Sequence, residues 1–382
     1  MPPNFENTSA AIPSPATTLY NYNNATTKEQ DLFQDFYEIS SLVRVTVPLC
    51  FGVIALTGFF GNILVILVVC LNKQMHSTTN LLIVNLAVAD LLFVIFCIPF
   101  TAADYVADSW PFGDLWCRTV QYLIVVAAFT SIYTLVLMSI DRFLAVVHPI
   151  RSRMLRTEKI TKICIAAIWT VILLVCLPVA FTHGVVKTDD DDPDFPEFEV
   201  CQFIPNDFIG LRTYQIIFFT SSYLLPLMVI SGLYMRMITR LWRQGSGVRM
   251  SVESQRGRKR VTRLVVVVVI AFASLWLPVQ LILLLKALYI YHADTKFTVI
   301  LQVVAQTLAY ASSCINPVLY AFLSDNFRKA FHKAINCSNR FQNYSSDLPP
   351  ARKTSYARTS STDGNIFPKS VNQTHAHREN NT

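Results

Sequence analysis

The sequence predicts an all-α membrane protein: a seven-transmembrane helix bundle with an extracellular amino terminus and a short amphipathic helix after the seventh span. Three observations carry that reading. Of 382 residues, 53% are hydrophobic and 15% charged, with a mean hydropathy of +0.41, too apolar for a soluble domain of this length. The apolar residues gather into seven runs bounded by charges. The segments between those runs differ sharply in the sign of their charge.

Read from one Lys, Arg, Asp or Glu to the next, the runs are roughly 45–71, 79–106, 119–140, 163–182, 213–235, 264–285 and 297–324. Each is near the ~20 residues that cross ~30 Å of hydrocarbon. Seven buried helices of a soluble protein would keep polar faces, which these runs lack. The chain divides into an extracellular tail (1–44), the bundle (45–324), an amphipathic surface helix (325–337) and a disordered cytoplasmic tail (338–382) rich in Ser, Thr, Asn and Arg.

Taken in order, the tail lacks a cationic start followed by a cleavable apolar segment, so the first span serves as its own insertion signal. It carries the sequons "NTS" at Asn7 and "NAT" at Asn24, expected glycosylation sites if the tail is outside. The second run contains Asp90, the only charge deep within any span. A charge at mid-bilayer costs about 3 kcal/mol and rarely persists without a use. Ser131 in the third span and Ser312, Ser313 and Asn316 in the seventh add uncharged oxygens at membrane depth. With Asp90 they suit a small hard cation, a proton with water, or an interhelical hydrogen-bond cluster. The third span ends in "MSIDRFLAVVHP". There Arg142 either finds a partner beyond the adjacent Asp141 or snorkels to the headgroups. Pro99, Pro178, Pro226, Pro278 and Pro317 lie within spans, where each removes a backbone donor. Trp276 beside Pro278 sets a bulky ring at a kink.

The loops give the orientation. Segment 141–162 carries Arg142, Arg151, Arg153, Arg156, Lys159 and Lys162 against two acids, and 236–263 carries nine basic residues against Glu253. Both are expected in the cytoplasm. Segment 183–212 is acidic, with Asp189, Asp190, Asp191, Asp192, Asp194, Glu197, Glu199 and Asp207 against Lys187 and Arg212. Of nine cysteines, six fall within spans and Cys337 is cytosolic. Cys117 and Cys201 alone face the oxidising exterior, so one disulfide is available.

"GN" at Gly61-Asn62, "LAVAD" ending at Asp90, "WPFG" at 110–113, Cys117, "DRF", Trp169, "WLP" and "NPVLY" at 316–320 resemble, as an ordered set over about 45–337, the rhodopsin-like G-protein-coupled receptors. The resemblance implies a plasma-membrane receptor with an activation switch of Asp141, Arg142, Tyr234, Phe272, Trp276, Pro278, Asn316, Pro317 and Tyr320. It makes Asn316-Pro317 a hinge of the seventh helix, and it implies an allosteric sodium ion held by Asp90, Ser131, Ser313 and Asn316, with no other cofactor. Phe327, Phe331 and Ile335 become the apolar face of the surface helix, with Cys337 a palmitoylation site. Phe143 and Leu275 depart from the family's usual Tyr and Cys. The inner end of the sixth helix, "GRKRVTRL", offers no acid for Arg142, so ligand-independent signalling is expected.

The pocket is read by what is absent. Ile124 stands where amine, opioid and somatostatin receptors place Asp, and Tyr310 where opsins carry the retinal lysine. No internal repeat or paired intramembrane charge suggests a transporter. No histidine triad assembles at membrane depth, so an enzyme is not expected. The acidic loop would concentrate a basic peptide, or serve solvation alone. "WPFGDLWCRTVQYLIVVAAFTSIYTLVLMSIDRFLAVVHPIRS" is similar to galanin receptors and insect type-A allatostatin receptors, with its end nearer the latter. That implies a peptide ending in Phe-Gly-Leu-amide, hosted by Tyr105, Gln121, Ile124, Trp276, Gln280, Gln306 and Tyr310, and a Gi/o protein. "KTSYARTSSTDG" and the 236–263 loop are expected kinase and arrestin sites. Membrane lipids are partners and nucleic acid is not.

Overall fold

The structure, a computed structural model, describes residues 27–72, 75–188, 198–204, 210–243, 252–292, 295–323 and 327–331. Seven helical spans make up most of them: Ser41–Leu71, Thr78–Val106, Gly113–Val147, Glu158–Thr182, Leu211–Arg240, Val265–Ala287 and Lys296–Phe322. Asn7, Asn24, Asp189 to Asp192, Glu197 and Cys337 lie outside the described residues.

The helices outrun the apolar runs, because charges that are satisfied do not stop a helix. The third span extends from 119–140 to Gly113–Val147. Asp114 and Arg118, one turn apart, pair at 2.6 Å at one end, and Asp141 and Arg142 are bonded at the other. The fourth starts at Glu158, where the Thr157 side chain caps the backbone N–H of Ile160. The first span belongs to a helix that begins at Thr27, inside the segment read as a tail to residue 44. No glycine or proline stands between Thr27 and Pro48 to end it sooner.

Three of the spans are interrupted near their prolines. The second span breaks at Cys97, the fourth between Val175 and Val179, and the fifth widens into a π-turn over Thr220–Leu224 before Pro226. The first, sixth and seventh helices, in contrast, run continuously through Pro48, Pro278 and Pro317, and the seventh shows how. A proline at position i strands the carbonyl at i−4, here Ser313, and Asn62 Nδ2 of the first span donates to that oxygen at 2.8 Å. Tyr133 of the third span donates to the Ser221 carbonyl in the π-turn at 3.1 Å. Tyr122 donates to Leu173 at 2.9 Å before Pro178, and Tyr223 to Ala273 at 2.8 Å in the turns before Pro278. Side chains of neighbouring helices thus repair backbone that lipid cannot solvate.

The main core runs the length of the bundle, through Phe51, Leu86, Ile132, Leu135, Met138, Ile230, Val268 and Tyr320. The lipid side keeps its apolar residues exposed, Leu49, Phe60, Ile163 and Phe322 among them. Gly61 lets the first span lie against the seventh, since a Cβ there would stand 3.0 Å from Pro317 Cβ.

A two-stranded hairpin covers one end of the bundle: β1 (His183–Thr188) pairs antiparallel with β2 (Phe198–Phe203), Val185 opposite Cys201. The expected disulfide joins Cys201 to Cys117 at the head of the third span. Asp114 adds a second fastening, its Oδ1 accepting from Val185 N at 2.9 Å. Trp110 N donates to the Glu199 carbonyl at 2.7 Å, and Glu199 N to Ser109 Oγ at 2.9 Å. At the hairpin root the His183 ring packs against Phe203 and Tyr214. Burial pushes its pKa down to about 4, against the opposing effect of its bond to the Val179 carbonyl. Just beyond the seventh span, Phe327 and Phe331 are buried while Arg328 and Lys329 are exposed, the amphipathic pattern expected there.

Candidate functional site

Polar side chains form three layers along the inside of the bundle. Nearest the hairpin, Tyr105 OH donates to Gln306 Oε1 at 2.5 Å, and Gln306 Nε2 to Tyr310 OH at 3.5 Å. Thr101 Oγ1 lies 3.2 Å from the same Tyr310 hydroxyl. Phe51 and Phe93 pack on the Tyr310 ring, with centroids 4.9 and 4.8 Å away. This cluster joins the first, second and seventh spans. Gln280, 2% exposed, instead turns to the fifth span and donates to Ser222 Oγ at 3.3 Å. Gln121 Nε2 stands 3.8 Å from Cys201 Sγ beneath the hairpin, and Ile124 packs half-buried against the main core. Three of the expected peptide hosts therefore meet directly, while Gln121, Ile124 and Gln280 occupy separate places. All three glutamines find partners, as amides drawn out of water must.

Trp276 leads to the middle layer. Its ring stacks on Phe272 at 5.6 Å, and its Nε1 donates to Ser312 Oγ at 3.0 Å. Below it Asp90, 3% exposed, accepts from Asn316 Nδ2 at 2.8 Å, and Ser131 is buried on the third span. Ser313 is buried and its carbonyl carries the bond from Asn62. Asn85, which the sequence reading does not single out, donates to Thr134 at 2.7 Å and accepts from Trp169 at 2.9 Å. An amide at membrane depth was the signal for it, of the same kind that picked out Asn316.

The last layer centres on Asp141. Thr78 and Thr79 donate to it at 3.0 and 2.9 Å, Arg156 at 2.6 Å, and Arg142 through both Nε and Nη2. The Arg142 guanidinium also reaches the Thr79 hydroxyl. Arg142 is thus buried and paired, with its neighbour as first partner and the second span supplying the other. The Tyr234 hydroxyl has no hydrogen-bond partner among the described residues. Tyr320 is buried with its ring 5.5 Å from Phe327, and its hydroxyl has no partner among the described residues. Arg156, with three donor contacts to this layer, reads from sequence only as one basic residue among several.

Residues 61–320 match the family described as 7 transmembrane receptor (rhodopsin family). The chain is 54% identical over 322 residues to the allatostatin-A receptor of Bombyx mori, covering 84% of this chain and 88% of that one. It is 32% identical over 337 residues to galanin receptor 2a of Danio rerio, covering 87% and 89%. With somatostatin receptor type 5 of Bos taurus it shares 38% over 298 residues, 76% of each chain. Seven spans in the family's order, an internal polar relay and these similarities lead to one conclusion: the chain is a multi-pass membrane protein that belongs to the rhodopsin family of seven-transmembrane receptors, and is a receptor, not an enzyme.

Proposed function

We propose that the chain is a plasma-membrane receptor for a neuropeptide of the allatostatin-A type, ending in Phe-Gly-Leu-amide, and that it signals through a Gi/o-class heterotrimeric G protein. The observation that carries this reading is the 54% identity to the Bombyx mori receptor over 84% of the chain. In this reading the hairpin end faces outside with the amino terminus. The amide end of the peptide enters between the Tyr105, Gln306 and Tyr310 cluster and Gln280, toward Trp276. Pressure on Trp276 is passed to Ser312 through their hydrogen bond and to Phe272 by stacking, and the sixth helix pivots at Pro278. The bonds around Asp141 and Arg142 are those of the resting receptor. Activation frees Arg142 for the G protein and brings Tyr234 and Tyr320 toward it, after which kinases and arrestin act on the basic third cytoplasmic segment and the tail.

A carboxylate with neutral oxygens around it is a donor set for a hard cation. Asp90 with Ser131, Ser313 and Asn316 fits sodium on that ground, and bound sodium would supply a charge that favours the resting arrangement. The identity to galanin receptor 2a of Danio rerio favours a galanin-type peptide as the second reading. G-protein activation in transfected cells, challenged in parallel with a Phe-Gly-Leu-amide peptide, galanin and a panel of amines, separates the two. A nanomolar response to the first alone is expected. A response to galanin alone would change the ligand and keep the mechanism, and a response to amines alone would overturn the pocket around Ile124.

A further inference from the structure

The hairpin end of the bundle carries an acid with no protein partner among the described residues. Asp104 is half-buried on the second span, one residue before Tyr105. Its neighbour Asp108 pairs with Arg44 at 2.5 Å, but no ion pair or hydrogen bond reaches Asp104 among the described residues. Lys286, the half-buried cation at the hairpin end of the sixth span, is not within ion-pair distance of it either. Asp104 adjoins Tyr105, whose hydroxyl is bonded to Gln306 in the cluster described above. Thr101, three residues earlier and so on the same helix face, touches Tyr310 as well. A half-buried carboxylate with no protein donor is stabilised by a cation that meets it.

We infer that Asp104 is a specificity-determining residue that receives a cationic group of the peptide, a guanidinium or ammonium upstream of the amide end. The inference rests on the peptide-receptor reading above and adds the charge that the Gln and Tyr hosts lack. It also gives the outer field a destination: the acidic loop gathers basic peptides at long range, and Asp104 reads the charge at contact.

The test uses the full-length receptor and N-acetylated Phe-Gly-Leu-amide peptides in pairs, one member bearing Arg and the other citrulline, its neutral isostere, at each upstream position in turn. At one position the Arg peptide should be about tenfold or more the more potent. That ratio should fall to near one in Asp104→Asn, and a Glu peptide should overtake the Arg peptide in Asp104→Lys. No Arg preference at any position on the unaltered receptor would overturn the inference even if neither variant reached the cell surface. A preference that survives Asp104→Asn would overturn it too. Failure of every Phe-Gly-Leu-amide peptide on the unaltered receptor is a different result, which sinks the ligand reading and the inference with it.

Discussion

Asp141 shows how much one residue's surroundings decide. Its carboxylate is 7% exposed and collects Thr78, Thr79, Arg142 and Arg156, so two cations share one buried anion. None of the hydrogen bonds that hold Arg142 comes from the sixth span among the described residues, so basal G-protein activity above that of untransfected membranes is the expected outcome. Arg156→Ala removes one cation and leaves Arg142 held by its neighbour and Thr79. If the resting state loses about 1 kcal/mol, basal G-protein activity should rise about fivefold; unchanged basal activity at equal surface expression would show that Arg156 does not restrain the resting state. At the other end, Gln280 and Gln306 are each committed to hydroxyl partners. Gln280→Leu and Gln306→Leu should each reduce peptide potency by about tenfold, and full potency in both would rule out the proposed pose.

Among elements, the fifth helix and the hairpin root carry the clearest predictions. The π-turn at Thr220–Leu224 depends on Tyr133 for the Ser221 carbonyl. Tyr133→Phe deletes that donor, at a cost of about 1 kcal/mol, and should lower the melting temperature of detergent-solubilised receptor by about 2–4 °C. An unchanged value would mean that the carbonyl has another donor. The hairpin root is sensitive to acid through His183. Its pKa of about 4 in place, against 6.5 when free, means that the opened hairpin binds more protons between those values. The stability His183 contributes is therefore complete above about pH 6.5 and is lost as the pH falls toward 4. Thermal stability measured across that window should decline with acid, and His183→Phe should flatten the decline.

On the scale of the whole molecule, sodium provides the broadest test of the central layer. Replacing sodium chloride with choline chloride should raise agonist affinity on the unaltered receptor, and Asp90→Asn should abolish the difference; an equal response of both would remove sodium from Asp90. The bundle was legible in the sequence because lipid demands long apolar runs, and the disulfide because Cys117 and Cys201 alone lay on one side. Asp90, Asn316 and Arg142 were legible because polarity at membrane depth is costly. Helix ends were not, since Asp114 with Arg118 and Asp141 with Arg142 satisfy each other only in three dimensions. The same holds for Gln280 and Gln306, whose partners Ser222 and Tyr105 lie 58 and 201 positions away.

The bond from Asn62 to the Ser313 carbonyl has an inheritance of its own. Asn62 has that role only while Pro317 denies the carbonyl a backbone donor, so the two positions constrain each other across 255 intervening steps of chain. Asn62→Leu alone should lose surface expression, and adding Pro317→Ala should restore part of it by returning the missing N–H. In a lineage of such receptors, the amide would then be free to drift only after the proline had gone.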